Sequence, residues 1–203
     1  MENKIGIMGG TFNPIHYGHL LLAEQAKEVF DLDEVLFIPS GNPYMKDTLP
    51  VLDAEIRAHM TVLAIEDNPC FRMSSIELGK TGPTYTYETL EALKAENPDC
   101  TYYFIVGADS LLTMETWKNP ERIFQNCVVA ASVRGTGTED KIRKIATHLI
   151  YEYQADIHIL PARFFDISSS EIRGRISGGK SVRYMLPEKV LDYIYDNKLY
   201  QNI

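Results

Sequence analysis

Short apolar runs that alternate with amphipathic stretches along the whole chain restrict its folds more than any other feature. Lys4-Ile-Gly-Ile-Met8 enters Gly9-Gly10 and is predicted to be a buried first strand. Leu20 to Phe30 then carries Leu20, Ala23, Ala26, Lys27 and Phe30 at helical spacing, with Glu24 and Glu28 on the wet side. Val35 to Ile38 is a second strand, stopped by Pro39. Asp53 to Glu66 reads as a helix with Ile56, Met60, Leu63 and Ala64 on one side, and a weaker strand follows near Phe71 to Ser75. The pattern continues with a helix from about Tyr87 to Glu96, strands at Tyr102 to Val106 and Val128 to Ala131, a helix at Glu139 to Glu152 and a strand at Ile157 to Leu160. Two helices, Ser169 to Ile176 and Pro187 to Asn197, close the chain. Strands alternating with helices imply βαβ units, a parallel sheet and right-handed crossovers. Ligands of such sheets bind at the carboxyl ends of the strands, so functional residues are expected after Met8, Ile38, Val106 and Leu160.

Composition narrows the function. Among 203 residues, 28 acids against 20 bases leave a net charge of −8, which argues against sequence-independent binding of nucleic acid. A nucleotide is still a suitable ligand, because one pocket needs only a few local cations and backbone N–H groups. No tract is long and apolar enough to span a bilayer and the N-terminus lacks a signal-peptide pattern, so no membrane partner is expected and the cytoplasm is the default location. Cys70, Cys100 and Cys127 are odd in number and form no CxxC pair, which supports neither a disulfide framework nor a zinc ribbon.

The segment Gly9-Gly-Thr-Phe-Asn-Pro-Ile-His-Tyr-Gly-His19 leaves the first strand. Two glycines let the backbone turn and approach a ligand closely. A helix starting near His16 to His19 would aim its free N–H groups and positive dipole end at the same cleft. His16 and His19, three apart, share one face of that turn, and two imidazoles could donate to one phosphate. The competing reading is a strand–helix corner with two exposed histidines. A metal site is disfavoured, since two ligands stand without a third in sequence reach.

This segment resembles the HxGH signature of the nucleotidyltransferase superfamily, and its eleven-residue form is similar to that of bacterial nicotinate-nucleotide adenylyltransferases. The resemblance implies a Rossmann-like α/β fold, a doubly wound parallel sheet with a small C-terminal helical portion. It implies one nucleotidyltransferase domain over residues 1–203, with a nucleotide-binding core at 1–165 and a helical subregion at 166–203. The reaction it implies is adenylyl transfer from ATP to nicotinic acid mononucleotide by direct in-line attack, with Mg²⁺ carried on the ATP phosphates. His16, His19 and Arg173 take the catalytic roles in that reading, and Gly9, Gly10, Thr11 and Phe12 bind ATP. Members of the family form dimers or larger assemblies, so a homodimer is an allowed state.

Other segments match the same family. Ile167-Ser-Ser-Ser-Glu-Ile-Arg173 resembles its ISSTxxR motif, which assigns Ile167, Ser168, Ser169 and Ser170 to ATP. Without the resemblance, a serine N-cap followed by a solvated arginine explains the same letters. Gly107 and Asp109 after the fourth strand are matched to the adenosine side, where a carboxylate suits ribose hydroxyls; helix capping by Asp109 is the rival role. Pro83-Thr-Tyr-Thr-Tyr-Glu-Thr-Leu90 looks like the family's YTxxTL segment, which places Tyr85 and Thr86 at the pyridine carboxylate. Trp117 matches the ring-stacking aromatic, although a lone tryptophan is more often core. Lys46 matches a cation beside the mononucleotide phosphate, with Tyr44-Met45 departing from the family's usual residues, and Arg134 is a further ATP contact. Solvated surface cations are the alternative for both.

Two patterns mislead. Gly174-Arg-Ile-Ser-Gly-Gly-Lys-Ser181 satisfies GxxxxGK[ST] but lacks the preceding strand and following helix that a phosphate loop needs. Gly135-Thr-Gly-Thr-Glu-Asp140 begins like GxGxxG, yet a carboxylate at the third position would repel a pyrophosphate. Three functions therefore stay in view: the nicotinate nucleotide enzyme, a related transferase with another acceptor such as phosphopantetheine, and a non-catalytic nucleotide sensor. Trp117 with Tyr85 and Thr86 weighs against the second, and the intact His16, His19 and Arg173 against the third.

Overall fold

A computed structural model describes residues 3–42, 51–132, 139–161 and 166–201. Six parallel strands form one sheet: β1 (Lys4–Gly10), β2 (Glu34–Pro39), β3 (Phe71–Met73), β4 (Thr101–Val106), β5 (Val128–Ser132) and β6 (Ile157–Leu160). Their order is β3-β2-β1-β4-β5-β6, so the chain winds outward in both directions from β1 and β4. Between those two strands lies the switch point where a doubly wound sheet opens its ligand crevice.

The strands are buried on both faces, and their side chains alternate between two cores. Ile5 and Ile7 of β1 with Tyr102, Phe104 and Val106 of β4 pack on α3 (Thr86–Glu96), α4 (Ala108–Thr113), α5 (Pro120–Phe124) and α6 (Glu139–Tyr153). Met8, Val35, Phe37 and Ile105 face the other way. They meet α1 (Tyr17–Phe30), α2 (Ala54–Ile65), α7 (Ser169–Ser177) and α8 (Glu188–Asp196). Gly6 lies on this second face, where a Cβ would come within 2.9 Å of Leu32 and 3.0 Å of Val35. A side chain there would push two core residues aside. The C-terminal helices share this core with β1 and β2 through Ile172, Ile176, Val190, Leu191 and Ile194.

Several boundaries differ from the periodicity. The first helix begins at Tyr17 with His16 as its N-cap, within the His16 to His19 start that the histidine segment implies and ahead of the apolar periodicity that sets in at Leu20. The third strand ends at Met73, short of Ser75. Two short helices, α4 and α5, and a 3-10 turn at Met114–Thr116 have no counterpart in the sequence pattern. Helices of five or six residues hold less than two turns, too few to display an apolar stripe. In α2 the expected Ile56, Met60, Leu63 and Ala64 do pack on the core, Met60 fully and the others half-buried, but Arg57, Ala58, Thr61 and Ile65 are buried beside them. The helix is turned so that an arginine faces inward, and the site described below gives the reason. The GxxxxGK[ST] pattern lies across the end of α7 and the loop after it, with no strand before it and α8 starting only at Glu188. Residues 135–138 of the second glycine pattern lie outside the described residues.

Cys100 and Cys127 are buried, and burial pushes the Cys127 thiol up to about 12 while it donates to the Ile123 carbonyl. A thiol so placed supplies almost no thiolate, the reactive form. In native protein iodoacetamide should modify Cys70 alone, and mass spectrometry should find all three cysteines labelled only after unfolding. Rapid native labelling of Cys127 would contradict this packing.

Candidate active site

The loop from Thr11 to His16 turns from the end of β1 into α1, and the C-terminal segment holds it in place. Arg173 donates from Nη1 to the Asn13 carbonyl at 2.8 Å, Ser169 from Oγ to the Pro14 carbonyl at 2.8 Å, and Tyr200 from its hydroxyl to Asn13 Oδ1 at 2.8 Å. Asn13 and Tyr200 are both buried. Burial also raises the Tyr200 phenol well above its ordinary pKa, although Arg173 and Arg57 pull the other way. The hydroxyl therefore stays protonated and keeps the hydrogen it donates to Asn13.

The two histidines meet as their spacing implies. Their rings stack with centroids 3.8 Å apart, and Phe12 meets the His19 ring edge-on at 5.1 Å. The His16 backbone N–H donates to His19 Nδ1 at 3.2 Å. A ring nitrogen that accepts a hydrogen bond carries no proton, so Nε2 is the His19 nitrogen that can donate. Gly18 permits the arrangement: a Cβ there would lie 3.0 Å from the His16 ring and 3.6 Å from the Ile167 carbonyl oxygen. Gly10 is constrained similarly, with a Cβ falling 2.8 Å from the Phe12 ring.

Two adjoining cavities open at the switch point. The first, about 350 Å³, is lined by Gly10, Thr11, Phe12, Ser40, Thr84, Thr86 and Trp117 among others. The second, about 340 Å³, is lined by His16, Gly18, Gly107, Asp109, Ile167, Ser168, Ser169, Ser170 and Arg173. Gly9, His19, Phe104, Ser110, Trp117 and Ser169 line both. Each volume lies within the roughly 300–1,000 Å³ of small-ligand sites. Together the walls come from the ends of β1, β2, β4 and β5 and from the start of α7, the side of the sheet where parallel-sheet geometry puts ligands.

Helix starts set the electrostatics of both cavities. His16 is the N-cap of α1 and Ser168 that of α7, whose hydroxyl accepts from the Glu171 N–H at 3.1 Å. The remaining first-turn N–H groups of α7 have no intrahelical partner and face an anion favourably. Tyr85 caps α3, so Thr86 opens that helix beside the first cavity. Arg173 is half-buried, and its Nη2 also donates to Ser170 Oγ at 3.2 Å. These donors give a protein of net charge −8 a local anion site. Among the described residues no three His, Cys, Asp or Glu converge as metal ligands.

Some expectations need amendment. Gly107, not Asp109, is the N-cap of α4, and Asp109 stands two positions further on, lining the second cavity. The helix starts two residues nearer the strand than its sequence suggests, which removes the capping role and leaves the carboxylate at the cavity. Gly10, Thr11 and Phe12 line the cavity that holds Thr86, not the one that holds Arg173. Tyr85 does not line the first cavity, and its ring stacks with Tyr87 at 6.0 Å between centroids. Trp117 is half-buried, packs edge-on to Phe104 at 6.2 Å and borders both cavities. Lys46 and Arg134 lie outside the described residues.

Other contributors carried no sequence signal. Glu77 is a buried carboxylate in the first cavity that accepts from Thr89 Oγ1 at 2.7 Å. Gly41 leaves no room for a side chain, since a Cβ would run into the Glu77 carbonyl oxygen. Arg57, 1% exposed, binds only main-chain carbonyls, and burial lowers its pKa from the ordinary value. A charge inside a predicted helix normally marks the wet face, so nothing in the sequence separates these residues from surface ones.

Comparison with known proteins adds an independent line. Residues 7–175 match the family model described as cytidylyltransferase-like. A protein of Lachnoclostridium phytofermentans named "probable nicotinate-nucleotide adenylyltransferase" is 42% identical over 197 residues, covering 97% of this chain and 98% of that protein. One of the same name from Moorella thermoacetica is 40% identical over 199 residues, covering 98% and 92%. In fold, the chain is similar to Plasmodium falciparum nicotinic acid mononucleotide adenylyltransferase complexed with NaAD. The TM-score is 0.79 at 21% identity, over 98% of this chain and 97% of that one.

The buried bond from Tyr200 to Asn13 makes the far C-terminus part of the histidine loop's support. Tyr200→Phe should lower stability by about 1–3 kcal/mol, because it strands a buried acceptor. Urea unfolding measures this, and an unchanged midpoint would show that the bond contributes nothing.

Proposed function

The chain belongs to the cytidylyltransferase-like family, among its nicotinate-nucleotide adenylyltransferases, and from that premise we propose the following reaction. The enzyme transfers the adenylyl group of ATP to nicotinic acid mononucleotide and releases pyrophosphate and nicotinic acid adenine dinucleotide. The observation that carries this reading is the pair of adjoining cavities whose common wall holds His19, Gly9 and Ser169. Two phosphate-bearing substrates bound side by side would meet there.

On this reading, ATP occupies the second cavity and the mononucleotide the first. The mononucleotide's 5′-phosphate attacks the α-phosphorus of ATP in line. A P–O bond forms to the attacking oxygen while the bond to the bridging oxygen of the β-phosphate breaks, and no enzyme-bound intermediate arises. A phosphate dianion is already a nucleophile, so no general base is required. Acceleration comes from positioning and from donors aimed at the charge that develops. His16 and the Nε2–H of His19 stabilise the phosphates around the reacting centre. The first N–H groups of α7 at Ser169 and Ser170, with Arg173 and Ser168, hold the β- and γ-phosphates, while Ile167 shapes their wall. Asp109 suits the ribose hydroxyls beside Gly107.

In the first cavity, Thr86 at the start of α3 receives the pyridine carboxylate, with Tyr85 as the cap that orients it, and Trp117 stacks on the ring. The backbone of Gly10, Thr11 and Phe12 is assigned to the attacking phosphate, since these residues border that cavity. Lys46 and Arg134 retain the phosphate-binding roles that the resemblance implies. Histidines, an arginine and serine hydroxyls favour an anion over a bare cation, so Mg²⁺ belongs to the MgATP substrate, held by its phosphates. The reading includes one nucleotidyltransferase domain, a cytoplasmic setting and an allowance for a homodimer. No helix among the described residues is long and apolar enough to cross a membrane.

Purified protein incubated with MgATP and, in turn, nicotinic acid mononucleotide, its nicotinamide counterpart and phosphopantetheine should release pyrophosphate fastest with the first. Faster turnover of phosphopantetheine would move the enzyme to another acceptor class, and no turnover with any acceptor would favour a sensor. His19→Ala should lower kcat about 100-fold or more, corresponding to about 3 kcal/mol of transition-state stabilisation. Wild-type turnover in the folded variant would remove His19 from the mechanism.

A further inference from the structure

Arg57 lies in the middle of α2 and is 1% exposed, yet no carboxylate hydrogen-bonds its guanidinium among the described residues. Its Nε donates to the Leu52 carbonyl at 2.8 Å and its Nη1 to the Thr11 carbonyl at 2.6 Å. Its Nη2 donates to the carbonyls of Ser40 at 2.6 Å and Gly41 at 3.1 Å. A buried cation without an ion-pair partner is costly, and an apolar residue of similar volume would fill the space more favourably. The cost makes sense only through what the guanidinium joins. Thr11 leaves β1, Ser40 and Gly41 leave β2, and Leu52 leads into α2.

Thr11 and Ser40 both line the first cavity, while none of the four residues whose carbonyls accept from Arg57 lines the second. Arg57 itself lines neither. A planar fork with five N–H groups can span three backbone segments at once, which the point charge of a lysine cannot do. The peptide bonds concerned are trans, so the Thr11 and Ser40 carbonyls bound to Arg57 turn their partner N–H groups, those of Phe12 and Gly41, to the remote side. A cation on the carbonyl end also polarises the peptide and strengthens that N–H as a donor.

We propose that Arg57 is a positioning residue for the mononucleotide, a buried guanidinium that ties the loops after β1 and β2 into one rigid wall of the first cavity without touching substrate. The inference rests on the assignment of that cavity to the mononucleotide. It extends the site beyond the residues that contact ligand, and it separates the two substrates: the mononucleotide depends on Arg57 and ATP does not.

Steady-state kinetics on the full chain, with Arg57→Lys and Arg57→Met beside the wild type, test this below the melting temperature of each variant. In both variants kcat/KM for nicotinic acid mononucleotide should fall at least about tenfold, as loss of positioning does. KM for ATP should stay within about twofold, because uniform binding of that substrate is untouched. Calorimetric titration of each free protein with the mononucleotide should show the same loss of affinity. Lysine should not rescue, and should Arg57→Met fail to fold, Arg57→Lys carries the comparison. An unchanged mononucleotide KM, a parallel rise for both substrates, or full rescue by lysine would overturn the proposal. A wild-type protein inert toward nicotinic acid mononucleotide would instead overturn the functional reading.

Discussion

The structure depends on the attachment of the histidine loop to a segment of chain more than 150 residues away, at separations of 155, 160 and 187 residues for its three hydrogen bonds. Without those bonds the Asn13 and Pro14 carbonyls, in this turn between a strand and a helix, would lose the partners that fix them. With them, His16 and His19 are stacked and oriented before any ligand arrives. The bond from Arg173 is charge-assisted, the stronger kind, and the Tyr200 bond is sealed from water. Preorganisation of this type is what electrostatic catalysis requires, because donors already in place lose no free energy to rearrangement during the reaction.

The same segment thus does two things. Its helices α7 and α8 complete the core on one face of the sheet, and its first turn supplies N–H groups to the second cavity. Stability and ligand binding are coupled here. A change that loosens α7 on the sheet moves the serines and Arg173 away from the histidines, whichever residue is altered. On the opposite wall, Arg57 plays the corresponding part for the loops after β1 and β2.

The electrostatic design is local. An acidic chain holds a site for anions by aiming helix starts, two imidazoles and an arginine at one crevice, leaving its excess carboxylates elsewhere on the surface. Asp109 in the second cavity and Glu77 in the first are the exceptions; Thr89 donates to Glu77, and the Arg57 charge lies near enough to be felt. The fixed tautomer of His19 belongs to the same design. A backbone N–H decides which ring nitrogen of His19 accepts and which can donate, so the orientation of the donor is set within the loop itself.

The sequence alone determined the alternation of elements, the parallel sheet and the strand ends where the cavities lie. These follow from apolar periodicity and from turn chemistry, which act over a few residues and can be read locally. It also marked His16, His19, Ser168 to Ser170, Arg173 and Thr86, because the motifs that carry them are contiguous, and Trp117 through the resemblance those motifs establish. Only the tertiary structure decided that Gly10 to Phe12 border the cavity of Thr86, that Gly107 rather than Asp109 caps α4, and that α2 turns Arg57 inward. Each of these is settled by contacts between residues far apart in the chain, and a buried arginine looks the same in sequence as a solvated one. Burial is a property of the packed molecule, and no local pattern encodes which polar group the core will need.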